Sequence, residues 1–138
     1  MTSLGLGIAV ILFALSMLHV FWAAGGQWGS RVAVPEVSGR PAFVPSRGAT
    51  LGVAAALLLA ALGVLGRVGL WFVPVPRWLF VWGTWGLAGI FLARAVGDFR
   101  RFGFFKRVRG TAFARWDTRL FSPLCLGLGL GLLWIAWY

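Results

Sequence analysis

At 138 residues, 60% of them hydrophobic and only 12% charged, with a mean hydropathy of +0.89, the chain is one domain long and too apolar for a water-soluble globule. Thirteen Lys and Arg against three Asp and Glu give a net charge of +10, a balance that in a soluble domain points to nucleic acid. Here the aromatics stand inside membrane-length apolar runs rather than on a basic groove, so anionic lipid headgroups replace nucleic acid as the expected partner.

In chain order, the first apolar run covers residues 4–24, long enough as a helix to cross a hydrocarbon core of about 30 Å. No basic region precedes it, so it reads as a spanning helix rather than a cleaved signal. The second run covers residues 50–70 and is broken by Pro74 and Pro76. The third covers residues 78–97. The fourth covers residues 118–138, with two possible starts: Ser122-Pro123 has the form of an N-cap and first helical position, whereas a start near Asp117 fills the bilayer better. These runs predict an all-α, membrane-spanning four-helix bundle forming a single domain over residues 1–138. A Pro-rich loop follows its first helix, and a basic, aromatic interfacial loop precedes its fourth.

Small residues recur at helical spacing in every run: Gly5, Ala9 and Ser16; Gly52, Ala56, Ala60 and Gly63; Gly86, Gly89, Ala93 and Gly97; Gly127 and Gly131. Such faces predict close packing within the bundle, with dimerisation through the fourth helix as the alternative. Trp71, Trp78, Trp82, Trp134, Trp137 and Tyr138 gather at one end as an interfacial aromatic belt. Bases gather at the other: Arg31, Arg40 and Arg47 in the first loop and Arg100, Arg101, Lys106, Arg107, Arg109, Arg115 and Arg119 around the third, against Arg67 and Arg77 in the second. The positive-inside rule then places the first and third loops in the cytoplasm and both termini on the non-cytoplasmic side of a bacterial inner membrane.

All three acids and the only histidine fall at the basic end. His19, Trp22 and Arg94 lie in last helical turns, Glu36 lies in the first loop, and Asp98 and Asp117 bracket the third. Ionisable groups near membrane depth are costly and are therefore paired or functional. Arg94 and Asp98 at i and i+4 share a helix face and can pair, or Arg94 can snorkel to the interface. His19 should point into the bundle, as a packing residue or, given a carboxylate within reach, as a proton shuttle. Residues 34–45, with three prolines among apolar side chains, read as an ordered flap capping the bundle. The third loop interleaves Phe with Arg and Lys as an interfacial segment does, with Arg100, Lys106 and Arg107 available to capture a phosphate-bearing or carboxylate-bearing lipid. Cys125 is a small hydrophobe or, less plainly, a nucleophile. As the single cysteine it excludes an internal disulfide, and one histidine excludes bis-histidine haem ligation. No metal-ligand spacing, phosphate-binding glycine loop or Ser-His-Asp grouping occurs, so no metal or cofactor is expected and no catalytic residue can be named.

The stretches Leu18-His19 through Trp28-Gly29, Val34-Pro35-Glu36 through Pro45, and Gly97-Asp98-Phe99-Arg100 through Pro123-Leu124-Cys125 resemble a family of small bacterial four-helix integral membrane proteins known as a domain of unknown function. The resemblance covers most of the chain and implies neither an activity nor a ligand. Residue chemistry alone predicts a site at the cytoplasmic interface between the first and third spans, under the flap, for a lipid-like or anionic amphiphilic ligand. His19, Trp22, Glu36, Asp98 and Asp117 would line it, with Arg94, Arg100 and Lys106 as anion contacts. A small dimeric transporter and an accessory subunit of a larger membrane complex are the alternatives. The absence of an acid near the middle of any span weighs against proton-coupled transport.

Overall fold

The computed structural model describes residues 1–138. Four long helices, α1 (Thr2–Ala23), α3 (Arg47–Arg67), α4 (Arg77–Val96) and a composite Ala112–Trp137, are each long and apolar enough to cross a membrane. In lipid no water satisfies a backbone amide, so a helix, which satisfies its own, is the form such runs must take. A one-turn helix α2 (Ser30–Ala33) and a hairpin of β1 (Glu36–Val37) and β2 (Arg40–Pro41) fold the first loop. The hairpin turns through Ser38 and Gly39, both at positive φ, and the Ala42 N–H closes it on the Pro35 carbonyl at 2.8 Å. The fold is thus all-α apart from this minimal ladder, and the first loop is ordered.

The fourth helix starts earlier than either sequence reading placed it. Thr111 caps α5 (Ala112–Trp116) by accepting the Ala114 N–H at 3.0 Å, and the helix runs through one π turn, Asp117–Phe121, into α6 (Ser122–Trp137). Pro123 has no N–H, and its ring would press on the carbonyl four residues back. The wider π turn just before it accommodates both demands, so the helix continues where proline would otherwise end it.

The four long helices alternate in direction. Ser16 of α1 donates to the Ala54 carbonyl of α3 at 2.7 Å, while Gly5 at the far end of α1 packs on Val68. Gly66 meets the Phe80 ring of α4, Gly129 of α6 meets Leu92, and Gly131 meets Ile8 and Leu4 of α1. Ile8, Leu12, Val64, Ala88, Leu128, Leu132 and Ile135 form the shared core. Ser16→Ala removes an inter-helix bond in a dry environment and should lower stability by about 1 kcal/mol. Denaturant unfolding in detergent reads this, and an unchanged midpoint would show that the bond contributes nothing.

On α1 the small-residue face is the packed one, with Gly5, Ala9 and Ser16 all buried, but on α3 and α4 the inward-facing residues depart from that pattern. On α4, Thr84, Ala88 and Ala95 are buried, while Gly86, Gly89 and Ala93 face outward; on α3, Ala54, Ala60, Ala61 and Val64 are buried, while Gly52 and Ala56 are exposed. Gly131 is consumed against α1, so Gly127 and Gly131 do not form an open dimer face together; Gly127 alone meets open space. α3 and α4 are apolar on every side, so spacing could not choose their packed face.

Two consequences position the charged end. A third or less of each span is buried inside the protein, leaving large apolar side chains such as Val10, Phe13, Leu59 and Ile90 on the outer surface, as lipid rather than water requires. Residues 24–46 and 97–116 lie at the same end, where α2 touches α5. Trp71, Trp78, Trp82, Trp134, Trp137 and Tyr138 are all exposed at the opposite end, where the Trp134 and Tyr138 rings pack tilted at 4.8 Å and the Trp85 and Trp137 rings pack edge-on at 6.3 Å.

Candidate functional site

The basic end carries eleven of the thirteen Lys and Arg residues and all three acids, but the structure divides the predicted site residues into three separate groups and leaves Glu36 outside them. The first lines a cavity of about 750 Å³ beneath the flap. Its walls are the end of α1 and the turn after it (His19, Trp22, Gly25, Gly26), the first loop (Ser30, Ala33, Val34, Phe43, Val44, Pro45) and the N-cap and start of α3 (Ser46, Ala49, Thr50, Val53). It therefore opens between the first and second spans, not between the first and third. The flap joins these two helices directly, and they pack as an antiparallel pair.

Local chemistry explains the cavity's shape. The Trp22 indole N–H donates to the Trp28 carbonyl at 2.7 Å, locking the turn that leaves α1, and Gly25 and Gly29 supply its positive φ values. Arg47 Nε donates to the Ala23 carbonyl at 2.8 Å, satisfying a free carbonyl at the C-terminus of α1 and clamping α1 to α3. His19 Nδ1 lies 2.8 Å from the Leu15 carbonyl, which can only accept, so this nitrogen carries the proton and Nε2 is the ring's open position. The Trp22 ring packs edge-on against the imidazole at 5.0 Å. His19 thus faces the flap cavity on α1 rather than the bundle core, and no carboxylate forms an ion pair with it.

The second group is a buried ionic node. Asp117, wholly buried, accepts from Arg94 Nη2 on Oδ1 at 2.8 Å, and on Oδ2 from Lys106 Nζ at 3.0 Å and the Gly103 N–H at 2.8 Å. Lys106, also buried, spends its remaining protons on the Gly103 carbonyl at 3.0 Å and Thr118 Oγ1 at 2.6 Å. With three acceptors for three protons, its ammonium has none left for an external anion, so Lys106 is an internal strut rather than the anion contact expected. Arg94 lies with its guanidinium carbon 4.6 Å from the centre of the Phe102 ring, a cation–π contact. The Arg94–Asp98 pair that the i, i+4 spacing allowed does not form, because the chain reverses at Gly97 and brings Asp117 to Arg94 instead.

Asp98 belongs to the third group, a loop cap. Its Oδ1 accepts the backbone N–H groups of Arg100, Arg101 and Phe102 at 2.9, 2.6 and 3.1 Å. Burial works against its charge, but the Arg101, Phe102 and Arg100 amides outweigh it and hold the carboxyl below the usual aspartate range. Arg100 is exposed beside it, and its carbonyl accepts from the Arg107 and Val108 N–H groups. Glu36 stands in the hairpin, outside the cavity wall and without an ionic partner. Cys125 is half-buried on α6.

Phe102, Gly103, Thr118 and Arg47 carry parts of this architecture that sequence reasoning missed. Only Thr118, adjacent to Asp117, offered a local signal.

A family profile matches residues 12–132, which covers most of the chain and includes the flap, the node and the loop cap. The chain belongs to DUF3995, a family of proteins of unknown function. No curated protein and no solved structure matches it. For this DUF3995 protein, the chemistry of the site therefore rests on the three groups described above. Of these only the flap cavity presents an open, mostly apolar volume with convergent polar groups, the usual character of a ligand site.

Proposed function

We propose that this protein resides in the bacterial inner membrane, with both termini on the non-cytoplasmic side, and holds an anionic amphiphile at the cytoplasmic interface beneath its flap. The observation that carries this reading is the 750 Å³ cavity at the end of the bundle where the bases are concentrated. Trp22, Val34, Phe43, Val44 and Val53 offer an apolar wall for a chain or ring, while His19, Ser30 and Thr50 offer a few directed polar contacts. The surrounding excess of Arg draws anionic headgroups to the same surface, at about 1 kcal/mol per base near it. The count of bases, with only Arg67 and Arg77 at the aromatic-belted end, supports the orientation.

Val53→Trp fills the cavity without changing charge. Native mass spectrometry of the protein released from mild detergent should show the wild type carrying an amphiphile that Val53→Trp has lost, and His19→Ala should carry less of it. An identical set of adducts on wild type and Val53→Trp would refute a ligand beneath the flap. A reporter enzyme active only outside the cytoplasm, fused after Tyr138, should be active; inactivity would reverse the orientation.

A further inference from the structure

A second recess, about 270 Å³ in volume, opens between the third loop and the start of the composite fourth helix. Arg109, Arg115 and Arg119 stand around it, Lys106 and Thr118 form part of its wall, and no acidic side chain lines it. Asp117, the nearest acid in sequence, is wholly buried, and its two oxygens are taken by Arg94, Lys106 and the Gly103 amide. The one negative charge is thus used inside the protein, and the three arginines have no ion-pair partner. Arg109 spends one N–H on the Lys106 carbonyl at 3.4 Å and Arg115 one on the Gly110 carbonyl at 3.3 Å, while Arg119 makes no hydrogen bond to the protein. Most of their guanidinium donors remain available.

We propose that this recess binds a phosphate group, with Arg109, Arg115 and Arg119 as its ligands and Thr118 as a hydroxyl donor. Guanidinium forks match phosphate oxygens in pairs, and three uncompensated positive charges suit a phosphomonoester dianion better than a single carboxylate. The buried node prepares the Thr118 contact. Because the Thr118 oxygen accepts from Lys106 Nζ, its own proton is left to donate. Exposed Phe104 lines the recess, as befits an aromatic side chain at headgroup depth. The same chemistry serves a phospholipid headgroup and free phosphate. The site is separate from the flap cavity and does not depend on what that cavity holds.

The test titrates the full chain in neutral detergent with inorganic phosphate in one arm and short-chain phosphatidic acid in the other. It compares wild type with the double variant Arg115→Gln/Arg119→Gln. Arg31→Gln/Arg40→Gln, which removes the same charge elsewhere at the same end, is the control. Loss of two charge-assisted contacts should weaken binding at least about tenfold in the first variant, with the control pair unchanged. Arg109→Gln, a single exposed change, should weaken it in the same direction and stands in should the double variant fold poorly. Binding in both arms, with phosphate displacing the lipid, supports a site for the phosphate group itself; binding of phosphatidic acid alone supports a headgroup site, and of phosphate alone a free-anion site. Equal weakening by the control pair, or no binding of either probe to wild type, overturns the proposal. Neither result bears on Val53→Trp and the flap cavity.

Discussion

Asp117→Asn should be the most damaging single polar change in the chain, lowering unfolding free energy by about 3–5 kcal/mol, the usual penalty for removing one partner of a buried ion pair. The carboxylate is wholly buried and neutralises an equally buried ammonium, Lys106, together with Arg94, whose side chain is 30% exposed. An amide keeps the shape but removes the charge, leaving Lys106 desolvated and unpaired. Arg94 can turn toward water; Lys106 cannot. Asp117→Leu combined with Lys106→Met removes both buried charges, so this pair should recover much of the loss, short of about 1–3 kcal/mol for the orphaned Gly103 N–H. Chemical denaturation in detergent measures both variants. Wild-type stability in Asp117→Asn would mean that the node is not a structural keystone.

Gly97→Ala and Gly103→Ala should each destabilise by at least about 3 kcal/mol, combining backbone strain with overpacking. Gly97 has φ 91° and ψ −173°, a region reserved for glycine, and Gly103 has φ 88°. Their backbones touch: a methyl group on Gly97 would overlap the Phe102 carbonyl and the Gly103 Cα, and one on Gly103 would overlap the Val96 carbonyl and the Gly97 Cα. Backbone on both sides leaves nothing that can rotate away. Gly89→Ala is the matched control on α4, where a methyl meets open space; it should be neutral or stabilise by up to about 1 kcal/mol through helix propensity. Thermal unfolding of the three variants separates the cases, and a Gly97→Ala protein as stable as Gly89→Ala would contradict the close approach. The Gly103 amide also donates to Asp117, so the glycine and aspartate variants share a partner and their costs should not add.

Several features followed from local composition. Four apolar runs of bilayer length had to be helices, because nothing else satisfies their amides in lipid, and α1, α3 and α4 begin and end within a few residues of the expected limits. The ordered first loop was legible in its prolines, and the aromatic belt and one-sided charge in residue positions alone. The start of the fourth helix was not, since Ser122-Pro123 has the form of a helix start that the helix in fact runs through by way of a π turn. The candidate site was legible only as a neighbourhood: His19 and Trp22 do share a cavity, but with α3 rather than α4, while Asp98 caps a turn and Lys106 is buried.

What the sequence determined by itself was therefore the number of spans, their alternation, and the end of the bundle that holds the charge. Each depends only on how long an apolar run is and where ionisable residues interrupt it. The tertiary structure alone decided the rotation of α3 and α4 and the partner of each charge. Helices apolar on all sides are turned by packing rather than by pattern, and the contact of Gly97 with Gly103 folds the third loop so that Arg94 meets an aspartate 23 residues away instead of the one four residues on.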